Sequence, residues 1–528
     1  MRSYYAHLET ATGKSISSKP VFRSSAIFPV MQQRGISSRI LFMGYWILKR
    51  HIKQITAVIS LRTQEGTLLN RTLLSINEAK TYRIELSEQL VSAGLAPDAH
   101  FYGSLEIEFF STVTLVFPFP AVAINYYGPA FCSVVHTAQR VYNDFDDMHT
   151  NMQTVVPESG FNIYAEEDRE PFLGLINGPE EVLITTLTFD FFNTLGESVT
   201  HKVHMDRIAA YQTQFIYPAR LFDLKSFLKG EVGSGKVHFN VNWIFPRLVV
   251  GNIQKQAPAA VTITHTYYDC SEAKSESDWW LPTQPEWYPA ALMVPTRIQE
   301  HEFTHLYFYP IYSPSTFVID IEVYDDKGGL LGRKENVLTI SSQSKKLELQ
   351  KIDLNALCKE MKISPTQPLA TRLLARTLGN HRLPARVKLA LDMGYDTLPH
   401  MPCNICTNLQ PFNPELENKP TTFRWFPFLA DQPDASVWIL SSSPKVNFVK
   451  EAMITLTFYR EQDVATLMRT LQLPPHGFLM LRLNEDEELK AFFGGVVGWC
   501  TVVSTNPYLS TYYLAANPSG VVGGDHGF

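Results

Sequence analysis

Apolar and polar side chains alternate with period two in four widely separated stretches of the chain. Ile55, Ala57, Ile59 and Leu61 alternate with Thr56, Val58, Ser60 and Arg62; Thr185, Leu187, Phe189 and Phe191 alternate with Ile184, Thr186, Thr188 and Asp190. Ile319, Ile321 and Val323 alternate with Asp320, Glu322 and Tyr324, and Ile454, Leu456 and Phe458 with Thr455, Thr457 and Tyr459. Period two in β-branched and aromatic residues predicts half-buried strands.

Taking Ile59, Leu187, Ile321 and Leu456 as equivalent gives a repeat of about 130 residues, the size of a small domain. Each anchor leads into a turn, at Gln64-Glu65-Gly66, Asn193 to Gly196, Asp325 to Gly329 and Arg460 to Asp463. A second strand then ends near Ile76, Met205, Ile340 or Leu473, as expected of a hairpin. Polar segments long enough for about two helical turns follow at Ser87 to Ala93, Lys225 to Lys229, Asn355 to Met361 and Asn484 to Ala491. Three more strand-like runs finish each unit. Roughly seven strands in ~100 residues is the arithmetic of a two-sheet sandwich.

The predicted fold class is therefore all-β: four tandem immunoglobulin-like β-sandwich repeats with short helical turns. The Cys/Trp/Cys spacing of true immunoglobulin domains is absent. The expected boundaries are residues 39–145, 171–270, 296–402 and 421–528, with residues 1–38, rich in Ser and Arg, as an N-terminal arm. The joint from Cys270 to Pro295 carries Trp279, Trp280 and Trp287, and such aromatics predict packed joints and a semi-rigid rod or a folded-back cluster.

Composition narrows the function classes. In 528 residues, 45% are hydrophobic and only 19% charged, which excludes a disordered chain. The 46 basic and 52 acidic residues leave a net charge of −6, with no excess to hold a nucleic-acid backbone. The uncharged stretch from Phe109 to Val135 is broken by Pro118, Pro120, Gly128 and Pro129, so it predicts successive buried strands and no membrane span. Six cysteines are too few for a disulfide scaffold, and the first 50 residues lack a secretory pattern. The expected location is cytoplasmic, or outside the cell by a route not readable from the sequence.

Candidate chemistry lies in three places. A histidine recurs near the end of each unit, at His136, His265, His400 and His526; the first three lie about 80 residues beyond their anchors and the fourth about 70. They read either as structural histidines on a last strand or as ligand- or metal-binding positions. His301-Glu302-Phe303-Thr304-His305 matches the H-E-x-x-H pattern of zinc peptidases, which needs a helix to set both imidazoles on one face. The aromatic run that follows it predicts a strand, in which residues i and i+4 sit ~13 Å apart. His400-x-x-Cys403-x-x-Cys406 offers zinc ligands without an evident fourth.

No cofactor is required by these patterns; zinc is the metal they would hold. No spacing recommends a catalytic triad. The leading expectation is a non-catalytic binding or scaffold protein that recognises a repetitive ligand, such as a glycan, or another protein surface. Trp279, Trp280, Trp287 and Tyr288 would be its aromatic platform. The alternatives are a structural subunit of a particle or filament, hence an oligomer, and a zinc-dependent hydrolase built on His301, Glu302 and His305.

Overall fold

The computed structural model describes residues 21–136, 139–142, 158–254, 259–268, 279–280, 285–313, 315–341, 348–364, 366–379, 383–384, 386–396, 401–417, 419, 421–517 and 521–528. Within them the chain forms four β-sandwiches of identical topology. Each unit contributes eight principal strands in two antiparallel sheets. Numbering them one to eight along the unit, the first sheet has the order one-six-three-four and the second five-two-seven-eight.

The alternating stretches form the third strands, Ile55–Thr63, Thr185–Phe192, Phe317–Tyr324 and Ala452–Tyr459. Each pairs in a hairpin with a fourth strand, Leu68–Ile76, Ser198–Met205, Leu330–Ile340 or Thr466–Leu473. In the third unit both faces of the strand are buried, because Arg372 and Arg376 cover the polar face by pairing with Glu322 and Asp320.

A short helix follows the fifth strand of every unit: Leu86–Ser92, Leu224–Leu228, Leu354–Glu360 and Glu487–Phe493. Apolar residues three or four apart (Leu86 and Leu90, Leu224 and Leu228, Leu354 and Leu357, Leu489 and Phe493) put one face into the core. Asp223, Asp353 and Asp486 accept the first-turn N–H groups of Ser226, Ala356 and Leu489, which fixes where three of these helices begin.

Three sequence expectations need correction. The stretch assigned to an arm contains the first strand, Arg23–Gln32, and the start of the second, Ser37–Met43, both deeply buried. Pro29 is tolerated there because the strand lies at the edge of its sheet, with Phe101–Phe110 as its ladder partner and the isolated bridge Ile27–Gln139 on its outer side. The second unit likewise starts at Glu158–Ile163, and the third ends beyond Cys403–Asn408. The units also do not keep separate interiors: one apolar cluster runs through Trp46 and Phe109 of the first, Val249 and Val261 of the second, and Phe426 and Trp499 of the fourth.

The four units close into a ring. The first residue of a fifth strand donates its backbone N–H to a carbonyl just past the third strand of the preceding unit: Thr213 to Gln64 at 2.8 Å, Phe478 to Asp326 at 3.2 Å, and Thr81 to Arg460 at 3.2 Å. The last of these joins the fourth unit back onto the first. At the corresponding place between the second and third units, Phe192 packs in one cluster with Leu349, and Tyr267 stacks on Tyr309 at 3.7 Å. A head-to-tail contact of this kind forms a closed ring when its rotation closes. Among the described residues no helix is long and apolar enough to cross a membrane.

Candidate functional site on the ring axis

Ring closure brings the four eighth strands, Phe131–His136, Ala260–His265, Cys403–Asn408 and Gly523–His526, against one another around the centre. Ser133 accepts the Ile263 N–H at 2.8 Å, the Val521 N–H reaches the Ala130 carbonyl at 3.1 Å, and the Cys403 thiol lies 3.5 Å from the Gly524 carbonyl. Gly523 is needed for the closest approach, since a Cβ there would sit 1.6 Å from the Cys132 carbonyl oxygen. The glycine-rich C-terminus is thus a structural strand of the ring.

A position repeated in every unit of a cyclic arrangement recurs at one height about the axis. His136, His265 and His526 occupy such a position, opposite Ala123, Val249 and Tyr512 in the neighbouring seventh strands. Their ligand atoms all lie within 4.8 Å of one another. The His136 ring is 5.1 Å from that of His265 and 4.4 Å from that of His526, nearly perpendicular to the first.

The third unit breaks the pattern. The same register there pairs Leu391 with Ile405, so an aliphatic side chain takes the fourth place. His400 itself lies outside the described residues. Its matching distance from the anchor misleads because loop lengths differ between units, whereas His526, with the discrepant distance, is in register.

Each imidazole is held by its Nδ1. His136 Nδ1 pairs with Asp525 Oδ2 at 2.6 Å, and that same oxygen accepts the His136 backbone N–H at 2.9 Å. His265 Nδ1 lies 2.7 Å from the Thr266 carbonyl and His526 Nδ1 3.0 Å from the Gly527 carbonyl. A carbonyl oxygen only accepts, so these two Nδ1 atoms carry the proton and each Nε2 keeps a lone pair. Burial, reinforced by nearby cations, pushes the His265 protonation well below the usual histidine range, and burial beside His136 pushes that of His526 down to about 4. Asp525 stays ionised: burial opposes its charge, but His136 and its N–H hold the carboxyl below the usual range.

The other sequence candidates are dispersed. His301-Glu302-Phe303-Thr304-His305 runs into the strand Glu302–Phe308, and its members have separate partners: His301 with Asp396 at 3.1 Å, Glu302 with Arg297, and His305 with Asp353 at 3.6 Å. An extended backbone holds the two imidazoles too far apart for one metal ion, which removes the basis of the peptidase alternative. Cys403 and Cys406 are three apart on one strand and enter different apolar clusters, so their thiols do not converge.

Trp287 is buried against Phe412 and Tyr508 at the joint of the third and fourth units, and the Tyr288 N–H donates to the Pro444 carbonyl there. That indole cannot be a sugar platform. Trp279 and Trp280 pair with Leu383–Pro384, and their side chains lie outside the description.

The sequence matches no protein-family model and no curated protein. Among solved structures, it is similar to the crystal structure of the chicken CNTN1 FN1-FN3 domains at 9% identity, covering 74% of this chain and 100% of that one. The TM-score is 0.07, too low to carry any statement about this chain.

Proposed function

We propose that the protein is a non-catalytic structural scaffold, a subunit that builds a larger assembly from copies of itself. The observation that carries this reading is ring closure. The joints and eighth-strand ends, where a sandwich usually presents binding groups, are used to hold the units together.

What the ring leaves outward are its fourth strands, each at a sheet edge with one side unpaired within the sheet. Such edges pair with other chains unless charged residues guard them. The second and third units carry Lys202, and Arg333 with Glu335, at exposed positions of this strand. The first unit carries Arg71 at an exposed position too but also exposes Leu73 at 73%, and the fourth, adjacent to it in the ring, exposes Met468 at 63%. A second copy of this chain fits that pair of edges, strand against strand.

The test is analytical ultracentrifugation of the full chain over a hundredfold range of concentration, with electron microscopy of the products. Growth beyond the 59.9 kDa monomer is expected, and Leu73→Glu should suppress it while leaving the melting temperature within about 2 °C. A wild-type chain that stays monomeric at the highest concentration, or growth unaffected by Leu73→Glu, contradicts the proposal.

A further inference from the structure

We propose that His136, His265 and His526 form a binding site for one divalent transition-metal ion, zinc being the best match, which staples the fourth, first and second units at the ring axis. The chemistry of the donors points to a metal. Three imidazoles brought together from three units, with ligand atoms within 4.8 Å, are the nitrogen-rich set that zinc prefers over calcium or magnesium.

The surroundings have the form of a metal site's outer shell. Histidines that bind metal donate the second ring nitrogen to a carboxylate or carbonyl, which fixes tautomer and orientation. Here all three Nδ1 atoms are so engaged, by Asp525, the Thr266 carbonyl and the Gly527 carbonyl. With the Nδ1 atoms so engaged, the Nε2 atoms are the ring nitrogens left to bind a metal.

Zinc–nitrogen bonds of ~2.0–2.1 Å with tetrahedral angles place ligand nitrogens about 3.4 Å apart, so the imidazoles need to close by roughly 1 Å or a little more. The strands carrying them are short and end at this point, which lets the rings move without disturbing the sheets. Ile405 fills the fourth place with hydrocarbon, so the protein supplies three ligands and a water or small anion completes the shell.

The site does not depend on self-assembly, and the two readings fail separately. The experiment is zinc titration of chelator-treated, desalted full-length protein, followed by elemental analysis, with cobalt loading as a spectroscopic check of coordination. One equivalent of zinc is expected, with the visible absorption of tetrahedral cobalt and a rise in melting temperature on zinc addition. His265→Ala should reduce uptake to below about a tenth of an equivalent, whereas His301→Ala/His305→Ala should retain the full equivalent. If His265→Ala does not fold, His526→Gln, at a less buried member of the set, provides the same comparison.

Asp525→Asn should weaken binding by about tenfold to a hundredfold, as expected of a positioning residue. Failure of the folded wild-type chain to take up a stoichiometric ion overturns the proposal. So does uptake that survives loss of the axial histidines or vanishes with His301 and His305.

Discussion

Glu106→Ala is expected to destabilise the protein by about 3–5 kcal/mol, the cost of leaving buried charges without their partner. Glu106 is fully buried in the sixth strand of the first unit. One carboxylate oxygen lies 2.9 Å from Arg62 and the other 3.4 Å from Arg23, whose guanidinium also pairs with Glu108 at 2.8 Å. Burial and the neighbouring Glu108 push the Glu106 carboxyl up, and the two guanidinium groups oppose that rise.

Truncation removes the acceptor between two arginines that stay buried. Arg23 belongs to the edge strand, and Arg62 lies 4.1 Å over the Tyr211 ring of the second unit, so the damage spreads to both. A urea titration should show the loss, with exposed Glu88→Ala within about 0.5 kcal/mol of wild type as the control. A loss below about 1 kcal/mol for Glu106→Ala contradicts a structural role for the cluster.

The second large effect is expected at the seam that closes the ring. Asp525→Ala deprives the His136 Nδ1 and the His136 backbone N–H of their shared acceptor, in a site where Asp525 is 3% and His136 2% exposed. Such unsatisfied donors cost about 1–3 kcal/mol each, so for the two a loss of about 2–6 kcal/mol follows. Because the change falls between the fourth and first units, amide exchange should rise selectively in Gly523–His526 and Phe131–His136. Uniform exchange across all four units, or no loss of stability, contradicts the assignment of Asp525 as the link.

Much of this architecture is legible in the sequence because it is local. Period-two alternation at Ile55 to Arg62 and Ile454 to Tyr459 marks strands, and the polar segments at Lys225 to Lys229, Asn355 to Met361 and Asn484 to Ala491 mark short helices. The first strand is not legible, since Arg23–Gln32 is buried on both faces, lacks alternation and contains Pro29. Its charged residue, Arg23, is buried among partners that come much later in the chain, Glu106 and Glu108 some 80 residues on and the Val141 carbonyl beyond them.

The axial site is half legible. Recurrence of histidine near the end of each unit flags the right strands, but pairing register, not distance along the chain, decides membership. His526 opposite Tyr512 is in the set, and in the third unit the place belongs to Ile405 opposite Leu391. Trp287 is packed in its joint, as its aromatic character predicts, but the residues that cover it, Phe412, Phe448 and Tyr508, come from distant parts of the chain and are not legible.

The axial site and the Asp525 seam rest on the fourth unit returning to the first, and small-angle X-ray scattering of the monomer measures that most directly. A closed ring of 528 residues with a filled centre should have a radius of gyration of about 24–27 Å. Four sandwiches strung end to end would instead give roughly 40 Å or more with a long maximum dimension, and that result would contradict ring closure.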